Sequence, residues 1–199
     1  VIVSAGGEVS DVKKVVSPVM VNKDKSTFYH IDFSFDELRL GGSAFAQSLN
    51  KVGDDVPTVQ NPEYFRDAFF AIQELVDKQL ILAGHDISAG GMITTLLEMC
   101  FANTEGGMEI NLDKIKCDDI VKILFAENPG VIIQVADKHK SEVKKILDEA
   151  GVGYVKIGVP TEERHILVTK HDATYQFGID YLRDVWYLSL IHISEPTRL

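Results

Sequence analysis

Gly84-His85-Asp86-Ile87-Ser88-Ala89-Gly90-Gly91 runs directly into Met92-Ile93-Thr94-Thr95-Leu96-Leu97-Glu98-Met99-Cys100-Phe101-Ala102. Leu80 to Ala83 reads as a brief buried strand that delivers the polar loop. Met92, Ile93, Leu96, Leu97, Cys100 and Phe101 give the next segment so wide an apolar face that it predicts a central, buried helix. A helix start leaves backbone N–H groups unpaired and partly positive, so anions settle there. Gly90 and Gly91 allow a ligand close to the backbone. Asp86 offers the hard oxygen that Mg²⁺ takes beside phosphate oxygens, and Ser88 offers a hydroxyl to a phosphate. The same residues have a purely structural reading: Ser88 as an N-cap, Asp86 as a turn residue, and the glycines as a tight turn. His85 reads as a hydrogen-bonded structural histidine or as a ligand or base. Glu98 supports the loop or pairs with a basic group, with no catalytic role.

Working outward, strands and helices alternate. Thr27 to Phe33 reads as a strand. Gly41-Gly42-Ser43 opens a short helix with Phe45, Ala46 and Leu49 inward, as either a phosphate cradle or a plain capped turn. Asn61-Pro62 is a cap followed by a first-turn proline, and Phe65, Phe69, Ile72 and Val76 form the apolar stripe of a longer helix. Met108 to Leu112 is a strand, Asp118 to Phe125 a short helix, and Asn128-Pro129-Gly130 a turn into the strand Val131 to Val135. A helix from His139 to Ala150, with Val143, Ile146, Leu147 and Ala150 inward, stops at Gly151. Val155 to Val159 and His165 to Thr169 are strands, and Ile179 to Trp186 is a last helical piece. This mixture predicts an α/β layered sandwich, a mixed sheet packed with helices.

Composition narrows the class. The 199 residues, 45 % of them hydrophobic, suffice for one good core and a piece of a second domain. No apolar run approaches the roughly 20 residues of a membrane span. A formal charge of −10 argues against a nucleic-acid surface, which needs clustered Lys and Arg. Lys144-Lys145 is read as a solvated face. Cys100 and Cys117 lack metal-ligand spacing, and Cys100 reads as a packed thiol. The six histidines form no metal spacing, and no nucleophile triad is visible.

Three motifs carry a family resemblance. His85 to Met92 with Leu96 to Ala102 resembles the H-D-x-S-D-G-G-L…L-x-E-M-A-F-A signature of formylglycinamidine ribonucleotide synthetase. Leu40-Gly41-Gly42-Ser43-Ala44-Phe45-Ala46-Gln47 resembles its L-G-G-S-A-L-A-Q segment, and Phe125 to Val135 its F-x-E-x-x-G-x-x-I-Q-V segment. The similarity runs from about Val1 to Tyr187. One departure is Ala89, which stands where the family usually has a second acid.

The resemblance implies the C-terminal domain type of the aminoimidazole ribonucleotide synthetase superfamily, as the last domain of the second of two tandem units. It implies a cytoplasmic, ATP-dependent amidine synthesis in purine biosynthesis, with Mg²⁺ and ATP or ADP as cofactors. Asp86 is then a metal ligand and Ser88 a nucleotide contact at an auxiliary site, with no catalytic residue carried over. Its partners are the remaining synthetase domains, a glutaminase domain and small-molecule substrates, with no nucleic acid and no membrane. By itself the chain is expected to be inactive. Other readings are an aminoimidazole ribonucleotide synthetase or thiamine phosphate kinase type enzyme, single-copy forms that lack the full signature, and a non-catalytic scaffold domain.

The ends suggest a fragment. Val1-Ile2-Val3 reads as a strand already under way, and residues 1–25 as a remnant of a preceding domain with a polar joint at Val21 to Ser26. Residues 26–187 are the synthetase-type domain. Leu188 to Arg198 resembles a translated sequencing adapter, so 188–199 is set aside from the fold.

Overall fold

A computed structural model of the chain describes residues 4, 6–9, 11–22 and 25–194, with side chains as far as Leu188. The predicted strand Val1-Ile2-Val3, Lys23-Asp24 of the joint and residues 195–199 lie outside the described residues.

One mixed sheet organises the chain. Its strands are β1 (Ser26–Asp32), β2 (Ala83–Asp86), β3 (Gly107–Asn111), β4 (Gly130–Ala136), β5 (Tyr154–Thr161), β6 (His165–Lys170) and β7 (Ala173–Gly178). Their order is β2-β4-β1-β5-β3-β6-β7. Only β3 and β6 run parallel among these neighbours. The helices are α1 (Ala44–Ser48), α2 (Pro62–Asp77), α3 (Gly91–Phe101), α4 (Ile120–Phe125), α5 (Lys140–Glu149) and α6 (Ile179–Ser194).

Both faces of the sheet are covered at β1 and β4. Phe28 of β1 points into a core with Met92, Leu96 and Met99 of α3 and Ile123 and Leu124 of α4. Tyr29 and Ile31 point the other way, onto Ala68, Ala71 and Leu75 of α2 and Val143, Ile146 and Leu147 of α5. A strand buried on both faces loses the apolar–polar alternation of a half-exposed one. That is why Thr27 to Phe33 alternates only partially. The α3 helix is central as expected, with eight of its residues from Gly91 to Cys100 buried.

Several expectations are corrected in phase. The Asp86 loop is delivered by β2 at Ala83–Asp86 rather than by Leu80 to Ala83. The buried line of α2 is Ala68, Ala71 and Leu75, whereas Phe69 is 47 % exposed. Small side chains let the helix approach the sheet; Phe65 and Ile72 pack beside this line against the core, while Phe69 and Phe70 face outward. On α1 only Ala46 is buried. Leu49, expected inward, is exposed because it falls beyond the last turn. The strand β7 was not anticipated: it is an exposed edge, joined to β6 through His171-Asp172 with His171 at φ +53°. The final helix continues past Trp186 to Ser194.

The segment before β1 is bonded to this sheet. Met20, 2 % exposed, donates its N–H to the Met99 carbonyl at 2.9 Å. The buried Gln134 amide donates to the Val21 carbonyl at 2.6 Å and accepts from the Val21 N–H at 2.8 Å. Gly84 N–H donates to the Ser17 carbonyl at 3.0 Å.

Candidate functional site

The polar loop sits on one rim of the sheet. Asp86 ends β2 opposite Val131 of β4, Val131 pairs with Ile31 of β1, and Ile31 with Tyr154 of β5. The connections after β2 and β1 and before β4 and β5 therefore gather along this edge. Ile87, buried, fixes the loop by donating its N–H to the Gly130 carbonyl at 2.8 Å. Asp86 is tethered through its backbone: its carbonyl accepts the Thr95 hydroxyl at 3.1 Å and lies 2.9 Å from His85 Nδ1. Its carboxylate is left 72 % exposed, with His85 Nδ1 at 3.3 Å from Oδ1.

Ser88 is not the helix cap. The N-cap position of α3 belongs to Gly90, at φ +88°, without a side-chain capping bond. Ser88 contributes its carbonyl, accepting Gly91 N–H at 3.0 Å, while its side chain stands in solvent. Gly91, at φ +72°, lies against the backbone of the α4 end, where an added Cβ would come within 2.7 Å of the Leu124 carbonyl oxygen. The two glycines thus permit close helix packing as well as a tight turn.

His85 is held between carboxylates, with Nε2 at 3.3 Å from Glu98 Oε2 and Nδ1 toward Asp86. The sequence left Glu98 to support the loop or pair with a basic group, and it pairs with His85. On one side of His85 lies a cavity of about 380 Å³ lined by Val16, Ile72, Val76, His85 and Asp86. On the other is one of about 630 Å³ bordered by Glu98, Phe101, Arg183 and Trp186.

Gly41-Gly42-Ser43 is a capped turn. Ser43 Oγ accepts Ala46 N–H at 3.1 Å and donates to the Leu40 carbonyl at 2.6 Å. Glu127 was not singled out from sequence. Its Oε1 accepts the N–H of Ala44 at 2.7 Å and that of Gly90 at 2.8 Å. A carboxylate of the chain itself therefore occupies backbone donors at both glycine turns, where the sequence pointed to anions. Beside it, Asn128 Nδ2 donates to the Glu37 carbonyl at 3.0 Å and to Ser34 Oγ at 3.2 Å.

The loop offers a metal ion a single exposed carboxylate, too few donors for a self-contained site. Asp86 supplies one exposed hard oxygen. No group of three His, Cys, Asp or Glu that could hold a metal occurs among the described residues. Mg²⁺ commonly takes one or two carboxylates and fills its shell with phosphate and water. Burial pushes the Cys100 thiol up to about 12, partly opposed by Arg164, so it is a packed and unreactive thiol. Among the described residues no helix is long and apolar enough to cross a membrane.

The family model for the C-terminal domain of AIR synthase related proteins matches residues 33–171. A probable phosphoribosylformylglycinamidine synthase, chloroplastic/mitochondrial, of Arabidopsis thaliana is 31 % identical over 201 residues, covering 100 % of this chain and 14 % of that protein. A probable phosphoribosylformylglycinamidine synthase of Caenorhabditis elegans is 36 % identical over 207 residues, covering 94 % of this chain and 15 % of that protein. The chain thus spans about one seventh of these relatives. In shape it is similar to T. maritima PurL complexed with ATP, with a TM-score of 0.66 at 14 % identity over 86 % of this chain and 28 % of that one. That likeness confirms the layered fold.

Proposed function

This chain belongs to the AIR synthase related protein family, whose C-terminal domain it carries, and from that premise we propose that it serves as one domain of a formylglycinamidine ribonucleotide synthetase. In the whole enzyme, ATP phosphorylates the amide oxygen of formylglycinamide ribonucleotide. Ammonia from glutamine then adds to that carbon, and the oxygen leaves with phosphate to give the amidine. Residues 26–187 form the synthetase-type domain, and residues 1–25 come from the preceding one. The partners are the remaining synthetase domains and a glutaminase domain in the cytoplasm, and the chain alone is inactive. Relatives named as probable phosphoribosylformylglycinamidine synthases, each several times longer than the chain, support the reading.

Within that enzyme the chain contributes part of an auxiliary Mg-nucleotide site. Asp86 would hold Mg²⁺, which when bound neutralises phosphate charge, and the Ser88 hydroxyl would donate to the nucleotide. One observation carries this assignment: the Asp86 carboxylate is 72 % exposed, while its backbone is fixed by Thr95 and His85. An aspartate used as a cap would spend its oxygens on nearby N–H groups; no hydrogen bond from a loop N–H to this carboxylate is found among the described residues.

The test is Asp86→Asn in the parent synthetase, which keeps shape and removes charge. As a plain surface change it should cost no more than about 0.5 kcal/mol. As a ligand at an occupied site, it should release bound nucleotide and the stability linked to that binding. Turnover then falls only as the scaffold loosens. Nucleotide retained at the wild-type level, measured after denaturation of the purified enzyme, would overturn the assignment.

A further inference from the structure

We propose that Glu127 is a positioning residue that locks the two glycine turns together and so sets the Asp86–Ser88 loop for its ligand. The proposal rests on the Mg-nucleotide reading of that loop. One atom, Glu127 Oε1, accepts from Ala44 N at 2.7 Å and Gly90 N at 2.8 Å. These partners lie 83 and 37 residues away in sequence. A carboxylate receiving two N–H groups at helix starts makes charge-assisted bonds in the favourable end of each dipole. Because both bonds share one oxygen, neither turn can shift without the other unless a bond breaks.

The base of this clamp is firm. Ala126 and Asn128, on either side of Glu127, are 3 % and 4 % exposed. Phe125 stacks on Phe45 of α1 with ring centroids 4.7 Å apart, and Gly91 presses on the Leu124–Phe125 backbone. From Gly90 the constraint passes to the ligand groups through Gly91 N–H, held 3.0 Å from the Ser88 carbonyl. Glu127 itself need touch no ligand. Its work is to hold the loop that does.

Two variants separate positioning from a charge effect. Glu127→Ala removes the acceptor, whereas Glu127→Gln keeps an oxygen in its place and removes the charge. In the 199-residue chain, Glu127→Ala should speed amide hydrogen exchange at Ala44 and Gly90 together, about tenfold or more, with Leu96 and Leu97 still protected. In the parent synthetase the same variant should weaken Mg-ADP binding by about 10- to 100-fold, the usual cost of losing a group that orients a ligand-binding side chain. Glu127→Gln should recover part of both losses, because it keeps an acceptor oxygen for the two N–H groups but makes the weaker, neutral bonds. Unchanged exchange in Glu127→Ala, unchanged Mg-ADP affinity there, or Gln as damaging as Ala would each overturn the positioning role. Asp86→Asn measured alongside keeps the two readings apart. Nucleotide lost in Asp86→Asn but kept in Glu127→Ala refutes the role of Glu127 alone. Nucleotide kept in Asp86→Asn refutes the ligand assignment, and the exchange rates still decide whether Glu127 couples the turns.

Discussion

Gly91→Ala probes the junction on which the site is built. Gly91 sits at φ +72°, and a Cβ there would lie 2.7 Å from the Leu124 carbonyl oxygen and 2.8 Å from the Phe125 Cα. Both obstacles are backbone, so no rotamer change relieves them. The left-handed conformation costs an alanine about 1–2 kcal/mol. Forcing α3 away from the end of α4 adds about 1–3 kcal/mol, the range for overpacking a fitted interior. The total is about 2–5 kcal/mol. At this chain length each kcal/mol moves the melting temperature by about 2–4 °C, so a loss of roughly 3 kcal/mol corresponds to about 6–12 °C. Gly151 supplies the internal control: it sits at φ +68° with nothing within 4 Å of a built Cβ. Gly151→Ala therefore reports the conformational cost alone, and the difference between the two variants isolates the clash. Urea unfolding followed by circular dichroism gives both values from midpoints at constant slope. If Gly91→Ala costs no more than Gly151→Ala, the close approach of α3 to Leu124 and Phe125 is not what the second glycine is for.

The remaining predictions concern pH and the tail. Burial lowers the His30 imidazole from 6.5 to about 4, with Asp32 pulling the other way. The unfolded chain binds that proton first, so stability is full above about pH 7, falls as pH drops from 6.5 toward 4, and is lower by about 2 kcal/mol at pH 5. His30→Gln should flatten the decline between pH 7 and 5 in urea midpoints, and equal slopes in both proteins would refute the shift. Deleting residues 188–199 should move the melting temperature by no more than about 2 °C. The basis is that Trp186 still packs on Phe101 at 5.7 Å while Tyr187 and Leu188 are 60 % and 54 % exposed; a larger drop would make the tail a structural element.

What could be read in the chain beforehand was whatever local pattern enforces. The apolar face of α3 is so wide that its burial follows from composition alone. Asn61-Pro62 starts α2 as expected, because the Asn61 carboxamide oxygen reaches N–H groups two and three residues on, at 3.1 and 3.0 Å. The stripe Phe65, Phe69, Ile72 and Val76 lies to one side of the buried line of α2: Phe65 and Ile72 still pack against the core, and Phe69 faces out. The sheet instead selects Ala68 and Ala71, whose small size sets the distance of approach. The edge strand β7 buries almost nothing, so little in its residues marks it. Ser88 looked like a cap because serine before a helix usually is one. A left-handed Gly90 took that position instead, and the hydroxyl was left to solvent.

Glu127 marks the limit of local reading more sharply. Its hydrogen-bond partners are set by topology: antiparallel pairing of β4 with both β1 and β2 brings their connecting turns to one rim. Nothing within a few residues of Glu127 requires a carboxylate, and its motif could be recognised without its purpose being visible. In the folded chain the three motifs become one physical object. The L-G-G-S turn supplies Ala44 N–H, the H-D-I-S-A-G-G loop supplies Gly90 N–H, and the F-A-E segment supplies the oxygen between them. Glu127 lies in the short connection between α4 and β4, held on either side by buried Ala126 and Asn128. From there one carboxylate oxygen reaches both turns, while Asp86 presents its exposed carboxylate from a backbone held by Thr95 and His85.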